Sequence, residues 1–361
     1  MGIPFDKKEL AVKEIKHLKT NLLQQDIPVY SYPVTPREGV LAQYRHRPIW
    51  VPYNVERQMV VPRMIPDNVA RGSASDVPLK LEEKGGPDMF GVVWEFIPQV
   101  GGSMVRPGAP LLASVDEWEE KVKFPDIDSW DWKGGAESWN KVRDPELGQM
   151  FTIHNGFWFE RLISFMDFED AAVALIDEEQ KPALTKLFEA TTDLGCRIVD
   201  KVCEYFDVDG FYVHDDWGTM LNSFFSVETC REMIVPHMRK FTDHIHAKGK
   251  LADFHSCGKI DNQIENIIAA GWDSWTPMNI CDTKALFDNY GDRLMLSVLP
   301  EKLNMRDTTE EEQREAARRF VDHYCVPGKS VGFSIYGMEA LAPAYVEELY
   351  VRSREKYAEL Y

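Results

Sequence analysis

The sequence is poor in positive charge relative to negative charge. It carries 41 Lys and Arg residues against 59 Asp and Glu residues, which gives a formal net charge of −18. Surfaces that bind nucleic acid or anionic membranes need dense positive charge, so neither kind of partner is expected. Most of these carboxylates are expected to lie on solvated helices.

The sequence also lacks the features of membrane and secreted proteins. No apolar run approaches the roughly 20 residues of a membrane-spanning helix. The first stretch, MGIPFDKKELAVKEIKHLK, is charged throughout and has no apolar segment of the kind found in secretory signals. Cysteines are few and form no CxxC pair, so reduced thiols and a cytoplasmic location are expected. They stand at positions 196, 203, 230, 257, 281 and 325.

Short apolar segments that alternate with helical patterns dominate the remainder of the chain. Runs rich in β-branched and aromatic residues predict buried strands at 49–53, 89–97, 150–154, 210–215, 251–255, 273–278, 293–299 and 330–336. Apolar residues recur about every 3.6 positions in 177–205, 227–248, 261–270, 284–290 and 309–324. This order predicts an α/β fold, a (β/α)₈ TIM barrel. A doubly wound sheet is disfavoured because no Gly-rich phosphate loop follows the first strand.

The predicted domain organisation is one barrel with additions. Residues 1–44 are expected to form an N-terminal helical extension, and residues 45–361 a single catalytic barrel domain. Within that domain, residues 98–148 are rich in Gly, Pro and Trp. They are expected to form an excursion over one barrel end.

Polar side chains follow many of the predicted strands at the point where each strand ends. Barrel active sites lie at the carboxyl ends of the strands, so these residues are expected to share one pocket. They are Trp94, Glu95, His154, His214, Asp215, Asp216, Trp217, His255, Cys257 and Tyr336.

His255 and Cys257 are the candidate metal ligands. Residues two apart on an extended segment point to the same side, so an imidazole nitrogen and a thiolate sulfur can converge on one ion. Zinc accepts this mixture of ligands, although a catalytic zinc takes three from the protein. A core histidine beside a buried free cysteine explains the same pair, and the residues alone leave both interpretations open.

The carboxylates near the strand ends are the candidate acid–base groups. Successive residues point in opposite directions, so we expect only one of Asp215 and Asp216 to face the pocket. The other can cap a helix or bind backbone N–H groups. Asp216 or His214 is a candidate catalytic residue. Glu95 follows a mostly apolar run, and a carboxylate at the end of a buried strand is costly unless it is paired or functional.

Arginines and aromatic residues provide the candidate substrate contacts. Arg57, Arg63 and Arg71 follow the first predicted strand, where they can hold a substrate carboxylate or form ordinary surface ion pairs, the commoner case. Four further side chains are expected to line the substrate pocket, although core packing accounts for most aromatic residues. They are Trp94, His154, Trp217 and Tyr336.

In combination, these stretches resemble the uroporphyrinogen decarboxylase superfamily. The similarity rests on FGVVWEF, FTIHNGFWFERLISFMDFEDA, GFYVHDDWGT, FHSCGKI and NYGDRLMLSVLP, in that order over residues 45–355. Decarboxylases of the family carry Arg-Gln-Ala-Gly-Arg after the first strand, where this chain reads VPYNVERQMVVPR. The sequence is therefore more similar to the cobalamin-dependent methyltransferase branch. That resemblance implies a barrel, a zinc bound by the H-x-C pair, and a corrinoid supplied by a partner protein.

The sequence departs from the methyltransferase pattern near its end. The family places a third zinc ligand, a cysteine, in a Gly-Cys-Gly motif, but this chain reads GFSIYGMEALAP, with Met338 near that position. Asn279 stands close to the place of a family glutamate. A thioether is a poor zinc ligand. Either the third ligand comes from another group, such as Glu95, Asp216 or Cys281, or the metal is weakly bound or lost. A retained metal is the expectation.

The leading hypothesis is a corrinoid-dependent methyltransferase that demethylates a small methoxylated compound, aromatic or not, with the help of a metal. An alkoxide or phenoxide leaves only if its developing charge is met by a metal or a proton. The alternatives are a methylcorrinoid:thiol methyltransferase and a decarboxylase (a carboxy-lyase) that uses Glu95 or Asp216 with the arginines. A barrel without catalysis that binds a corrinoid or a partner protein is a further alternative.

Overall fold

A computed structural model describes residues 3–19, 24–53, 55–99, 101–301, 307–334 and 341–361. Its strands are β1 Val12–Lys19, β2 Gln24–Tyr30, β3 Arg57–Val60, β4 Gly86–Pro87, β5 Val93–Ile97, β6 Gly102–Val105, β7 Gly148–Ile153, β8 Gly210–His214, β9 Leu251–His255, β10 Ser274–Thr276, β11 Met295–Val298 and β12 Val331–Phe333. Its helices are α1 Pro36–Tyr44, α2 Pro66–Ala70, α3 Trp118–Lys121, α4 Trp132–Asn140, α5 Phe159–Met166, α6 Phe168–Ala174, α7 Lys181–Tyr205, α8 Val227–Met233, α9 Val235–Ala247, α10 Ile264–Ala269, α11 Thr283–Tyr290, α12 Glu310–Tyr324 and α13 Pro343–Leu360. The fold is therefore mixed α/β.

The chain divides into two compact units, and each contains parallel strands connected by helices. The first unit comprises Met1–Gln58, Asp144–Gly148 and Asp273–Tyr361, and the second comprises Met59–Arg143 and Gln149–Trp272. In the first unit, β11 lies between β10 and β12 and is parallel to both. In the second, β8 lies between β7 and β9 and is parallel to both. Closure into an eight-stranded barrel and a single domain over 45–361 stay predictions.

The six later predicted strands are confirmed as β7 to β12, and the last prediction continues into residues 335 and 336, which lie outside the described residues. Every residue of β7, β10, β11 and β12 is buried. Burial on both faces explains why these strands read as continuous apolar runs, as is typical of parallel strands covered by helices.

The predicted helices are also found, and their ends have local causes. A capping box formed by Thr309 and Glu312 starts α12. The predicted helix over 227–248 is divided into α8 and α9 at Ile234, just before Pro236. A proline has no backbone N–H to continue a helix and clashes with the preceding turn. None of the described helices has both the length and the apolar composition needed to cross a membrane.

The first two predicted strands are wrong in position or in partner. Residues 49–53 form no strand, and β3 begins only at Arg57. β5 pairs with β4 and β6 in a separate antiparallel sheet. Along β5, Val93 and Glu95 are exposed, whereas Trp94 between them is buried. This alternation is typical of a sheet with one solvated face, which an apolar run of this length can also form.

The predicted helical N-terminal extension is wrong over residues 12–19 and 24–30, where β1 and β2 pair as antiparallel strands. Val12 and Ile15 have the spacing of one helix face, but both side chains are exposed. Helices in proteins are stabilised mainly by packing of an apolar face, and no such packing is available to these two residues. The chain just before β1 is bound to α13 through Glu9, which accepts hydrogen bonds from Arg354 at 2.8 and 2.9 Å and from Tyr350 at 2.7 Å. Of the prediction, the 3₁₀ turn Lys7–Leu10 and α1 remain helical.

A buried charge cluster holds α5 in place within the second unit. The Arg161 guanidinium is paired with Asp67 and, at 2.7 Å, with Asp88, and all three side chains are fully buried. Arg161 also lies over the ring of Phe90, 4.9 Å from its centroid. Such a cluster is stable only while each charge keeps its partner.

Replacing Arg161 with Met should lower the free energy of unfolding by about 3–5 kcal/mol, because two buried carboxylates then have no cation. Urea unfolding followed by circular dichroism measures this. The control is Arg63→Met. Arg63 pairs with Glu83 at a partly exposed site, and its loss should cost less than about 1 kcal/mol. Equal losses for the two variants would contradict the prediction.

Candidate metal centre and substrate pocket

The candidate site lies at the carboxyl ends of β7, β8 and β9 in the second unit. Three histidines end or follow these strands. The ring centroids of His154 and His214 are 5.3 Å apart, and those of His214 and His255 are 4.9 Å apart. The parallel register pairs His214 directly with His255. Neighbouring parallel strands thus bring these residues to one edge, as their positions in the sequence predicted.

Asp215 is a structural residue that organises this edge. Its buried carboxylate accepts hydrogen bonds from the backbone N–H groups of Phe159 at 3.2 Å and Glu160 at 3.0 Å, and from Trp217 Nε1 at 2.7 Å. The first two donors belong to the start of α5, where N–H groups have no partner within the helix. Burial raises the pKa of Asp215 well above its usual range.

The approach of α5 to β8 depends on Gly156. This residue has φ of 49°, and a Cβ there would lie 2.7 Å from Asp215 Oδ1 and 2.7 Å from the His214 carbonyl oxygen. A side chain would therefore push the loop away from Asp215. This close packing explains why position 156 is a glycine.

Asp216, His255 and Cys257 form the candidate metal centre. Their ligand atoms all lie within 4.8 Å of one another. Cys257 Sγ is 3.6 Å from His255 Nε2, and the Cys257 N–H donates to Asp216 Oδ1 at 2.7 Å. Asp216 is thus the third member of the group, one of the alternatives for the missing ligand. Cys281, another alternative, belongs to the first unit.

The donor set fits a zinc ion. With Zn–N of about 2.0–2.1 Å and Zn–S of about 2.3 Å, a tetrahedral angle places nitrogen and sulfur about 3.6 Å apart. This equals the distance between His255 Nε2 and Cys257 Sγ. Burial and the charge of Asp216 raise the pKa of the Cys257 thiol. A cation at this position would reverse that effect, because a coordinating thiol is deprotonated.

Gly218 and Gly258 allow close contact between the two loops that carry Asp216 and Cys257. Gly258 has φ of 97°, and a Cβ there would lie 2.2 to 2.4 Å from backbone atoms of Gly218. The two backbones are therefore in direct contact. The contact fixes how the loop after β8 lies beside the loop after β9, and hence the spacing of the ligands.

Arg71 and Glu160 form a second charged pair beside this centre. Arg71 Nη1 donates to Glu160 Oε1 at 2.6 Å, and the guanidinium lies over Trp94, 5.2 Å from the ring centroid. Burial raises the pKa of Glu160, and repulsion from Asp216 adds to this, while Arg71 opposes it. The attraction between Arg71 and Glu160 therefore stabilises the glutamate as a carboxylate against burial and against repulsion from Asp216.

The neighbouring histidines are held neutral. Burial, with a smaller effect of Arg71, lowers the pKa of His154 to about 3. Burial, followed by the effects of His255 and His154, lowers the pKa of His214 well below its usual range. His154 Nδ1 lies 2.9 Å from Asn68 Oδ1, which fixes this nitrogen as the donor. At neutral pH, His214 is therefore suited to hydrogen bonding and not to acting as an imidazolium acid.

Arg71, Glu160, Asp216 and Cys257 open onto a pocket of about 700 Å³ in the second unit, whereas the three histidines are not among the described residues that line it. Its lining includes Arg71, Trp94, Glu160, Asp216 and Cys257. Its apolar lining residues include Met104, Val105, Pro107, Ile163, Phe168 and Phe224. This size and mixture of surfaces are typical of a site for a small organic molecule.

Two sequence predictions are corrected here. Glu95 does not end a parallel strand; it lies on the solvated face of β5, where it pairs with Arg106 at 2.8 and 3.0 Å. Trp217 is completely buried, with its ring 5.0 Å from that of Phe254, and does not line the pocket. Trp94 lines the pocket, as predicted for a substrate-binding residue. Its contact with a substrate stays a prediction. Tyr336 and Met338 lie outside the described residues.

Sequence reasoning missed Glu160 and underrated Arg71. Glu160 stands in FWFERL, a mostly aromatic and apolar stretch that forms the start of α5. The apolar character of this stretch predicts that the segment is buried, and it is the only sequence feature that could have pointed to a buried glutamate there. Arg71 is one of three arginines after the first predicted strand, and no sequence feature shows which of them lies in the pocket. Its partner is 89 residues away in the chain, a distance at which sequence spacing carries no information.

Comparisons with known proteins support the fold. The chain is similar in structure to a methyltransferase from Methanosarcina mazei, with a TM-score of 0.60 and 13% sequence identity over 90% of this chain and 99% of that chain. A chitinase from Rhizomucor miehei matches over 68% of this chain and 91% of that chain, with 13% identity and a TM-score of 0.32, too low to carry an argument. No family profile and no curated protein matches the sequence. The chain therefore has a fold like that of the archaeal methyltransferase.

Removing any one ligand should abolish tight zinc binding. His255→Ala, Cys257→Ser and Asp216→Asn each leave fewer than three protein ligands, so zinc affinity should fall by more than about 100-fold. Competition with a chromophoric chelator and elemental analysis measure this. Cys203→Ser, which removes a thiol on α7, should keep wild-type affinity. Unchanged affinity in the Cys257 variant would refute the site.

The glycine contact should also control zinc binding. Gly258→Ala must separate the two loops, so zinc affinity should fall by about 10- to 100-fold, the range seen when support around ligands is lost. Gly249→Ala is the matched control. Gly249 also has a left-handed φ, of 68°, but nothing lies within 4 Å of a Cβ there. If both variants lose zinc equally, backbone strain and not the loop contact is responsible.

Proposed function

We propose that the protein is a metal-assisted methyltransferase that moves a methyl group from a small methoxylated compound to a corrinoid held by a partner protein. The observation that carries the proposal is the group of Asp216, His255 and Cys257, two of whose members line the pocket. The fold shared with a methyltransferase supports it. The corrinoid enters the proposal through the resemblance described above.

The chain's own residues would hold the metal and place the substrate. A bound zinc would supply Lewis acidity, which meets the charge that develops on a methoxy oxygen as its methyl group leaves. Asp216 and Cys257 line the pocket, while His255 is almost completely buried. With only three protein ligands, a bound zinc would keep an open coordination position for a substrate atom, as catalytic zinc sites require.

The pocket walls suit a compact and partly apolar substrate. Phe168 and Phe224 pack edge to face, with ring centroids 4.7 Å apart, on the side formed by α6 and the loop before α8. Trp94 is fixed because its Nε1 donates to Asp88 at 3.0 Å. Rigid aromatic walls hold a flat molecule at a small entropic cost.

The decarboxylase alternative loses its main support. Arg71 is neutralised by Glu160, and Arg63 is paired with Glu83. Glu95 is exposed and paired with Arg106. Glu95 and two of the three arginines that this alternative can use therefore have other partners, while Asp216, its other carboxylate, lines the pocket.

Methyl transfer should be directly observable. The zinc-loaded full chain, incubated with 2-methoxyphenol and chemically reduced cobalamin, should form methylcobalamin, detected by its absorption spectrum. Cys257→Ser and His255→Ala should lower the rate by more than about 100-fold, because the leaving oxygen loses its metal. Cys203→Ser should keep the wild-type rate.

Other outcomes would identify the alternatives. Methyl transfer from methylcobalamin to 2-mercaptoethanol, without transfer from 2-methoxyphenol, would indicate the thiol reaction. Release of CO₂ from a carboxylic acid by metal-free protein would indicate a decarboxylase. Each of these results would refute the proposed reaction.

A further inference from the structure

Glu160 has an unused hydrogen-bond acceptor inside the pocket region. The residue is 7% exposed and lines the pocket. Arg71 Nη1 binds its Oε1, whereas its Oε2 is buried and has no hydrogen-bond partner among the described residues. A buried carboxylate oxygen without a donor costs free energy, so this position favours a ligand that brings one.

Arg71 is not a free receptor for an anion. Its charge is matched by Glu160, and its position is fixed from the other side by the ring of Trp94. The ion pair orients Glu160 because Oε1 is held by the guanidinium. The orientation leaves Oε2 as the group still able to accept a hydrogen bond.

The remaining charges of the pocket are negative. Among the described residues that line it, five carry carboxylates and Arg71 alone carries a cation; the carboxylates are Glu160, Asp167, Glu169, Asp170 and Asp216. Glu169 and Asp170 are exposed at the start of α6. An anionic molecule would meet repulsion on entering, whereas a neutral or cationic one would not.

We propose that the pocket selects a neutral or cationic small molecule whose hydroxyl or ammonium group donates a hydrogen bond to Glu160 Oε2, next to the atoms of Asp216 and Cys257. The inference rests on the proposed function, since it names the substrate class of that site. Glu160 is then a specificity-determining residue. For methoxylated aromatic compounds, it favours those that also carry a free hydroxyl and disfavours those that carry a carboxylate.

Isothermal titration calorimetry on the zinc-loaded full chain tests this without turnover or corrinoid. Two pairs of probes isolate the two features. 2-Methoxyphenol should bind about 10- to 100-fold more tightly than 1,2-dimethoxybenzene, which lacks the donor. 4-Hydroxy-3-methoxybenzylamine should bind at least about threefold more tightly than 4-hydroxy-3-methoxybenzoate, which differs in the sign of its charge.

The variant Glu160→Gln assigns the donor preference to one residue. It keeps the shape of the side chain, but Arg71 would bind the single amide oxygen and leave the NH₂ group, which donates, at the position of Oε2. 2-Methoxyphenol should then bind about as weakly as 1,2-dimethoxybenzene, whose affinity should not change. Glu169→Gln is the matched control. It removes an exposed carboxylate of the same pocket and should preserve the preference for the phenol. Zinc content and circular dichroism confirm that both variants are folded.

The comparison of probes on the wild-type protein does not depend on how any variant folds. Equal affinity for 2-methoxyphenol and 1,2-dimethoxybenzene would overturn the inference, and so would the absence of measurable binding for all four probes. Tighter binding of the benzoate than of the benzylamine would also overturn it. If the expected pattern is found but methyl transfer is not, the proposed reaction is wrong while the ligand preference stands.

Discussion

The candidate site depends on the fully buried carboxylate of Asp215. Three donors converge on it, two from the start of α5 and one from Trp217, and they join the end of β8 to α5. Because neighbouring residues of an extended segment point in opposite directions, this arrangement turns Asp216 towards the pocket. There Asp216 accepts from the Cys257 N–H. The same hydrogen bonds place Glu160 at the first turn of α5, so the positions of Asp216 and Glu160 both depend on one residue.

This dependence explains why the buried charges occur in sets. Arg161 on α5 is matched by Asp67 and Asp88, and Glu160, one residue earlier, is matched by Arg71. Each ion pair joins α5 to chain segments that lie 73 to 94 residues earlier. A carboxylate or guanidinium in such surroundings is costly without its partner, so the position of α5 is specified more narrowly than apolar packing alone requires.

The parts of the fold that could be predicted from the sequence are those whose patterns are local. Strands β7 to β12 are short apolar runs buried on both faces, and each predicted helix between them shows its own period. The His255–Cys257 pair follows from two-residue alternation at the end of β9. The roles of Asp215 and Asp216 also follow the alternation, although the sequence did not show that the capped helix would be α5.

The failures have a common physical origin in tertiary pairing. Val12 and Ile15 have helical spacing, yet this segment pairs with β2. The run that ends at Glu95 looks like a buried parallel strand, yet its partners are β4 and β6. The sequence of an apolar run does not determine which strand it pairs with or whether one of its faces is exposed to solvent. Glu160 and Arg71 were unpredictable for the same reason, since their pairing joins distant parts of the chain.

The third zinc ligand that we propose, Asp216, bears on the proposed chemistry. A set of His255, Cys257 and Asp216 comes from two adjacent strands and does not require the cysteine that the resemblance would place near Met338. It also exchanges a soft thiolate for a hard carboxylate oxygen. Thiolates donate electron density strongly, so a centre with one thiolate keeps more Lewis acidity for an oxygen ligand than a centre with two. For the proposed reaction, this favours activation of an ether oxygen over activation of a thiol, and it is consistent with the proposed role of Glu160 as the acceptor of a substrate hydroxyl.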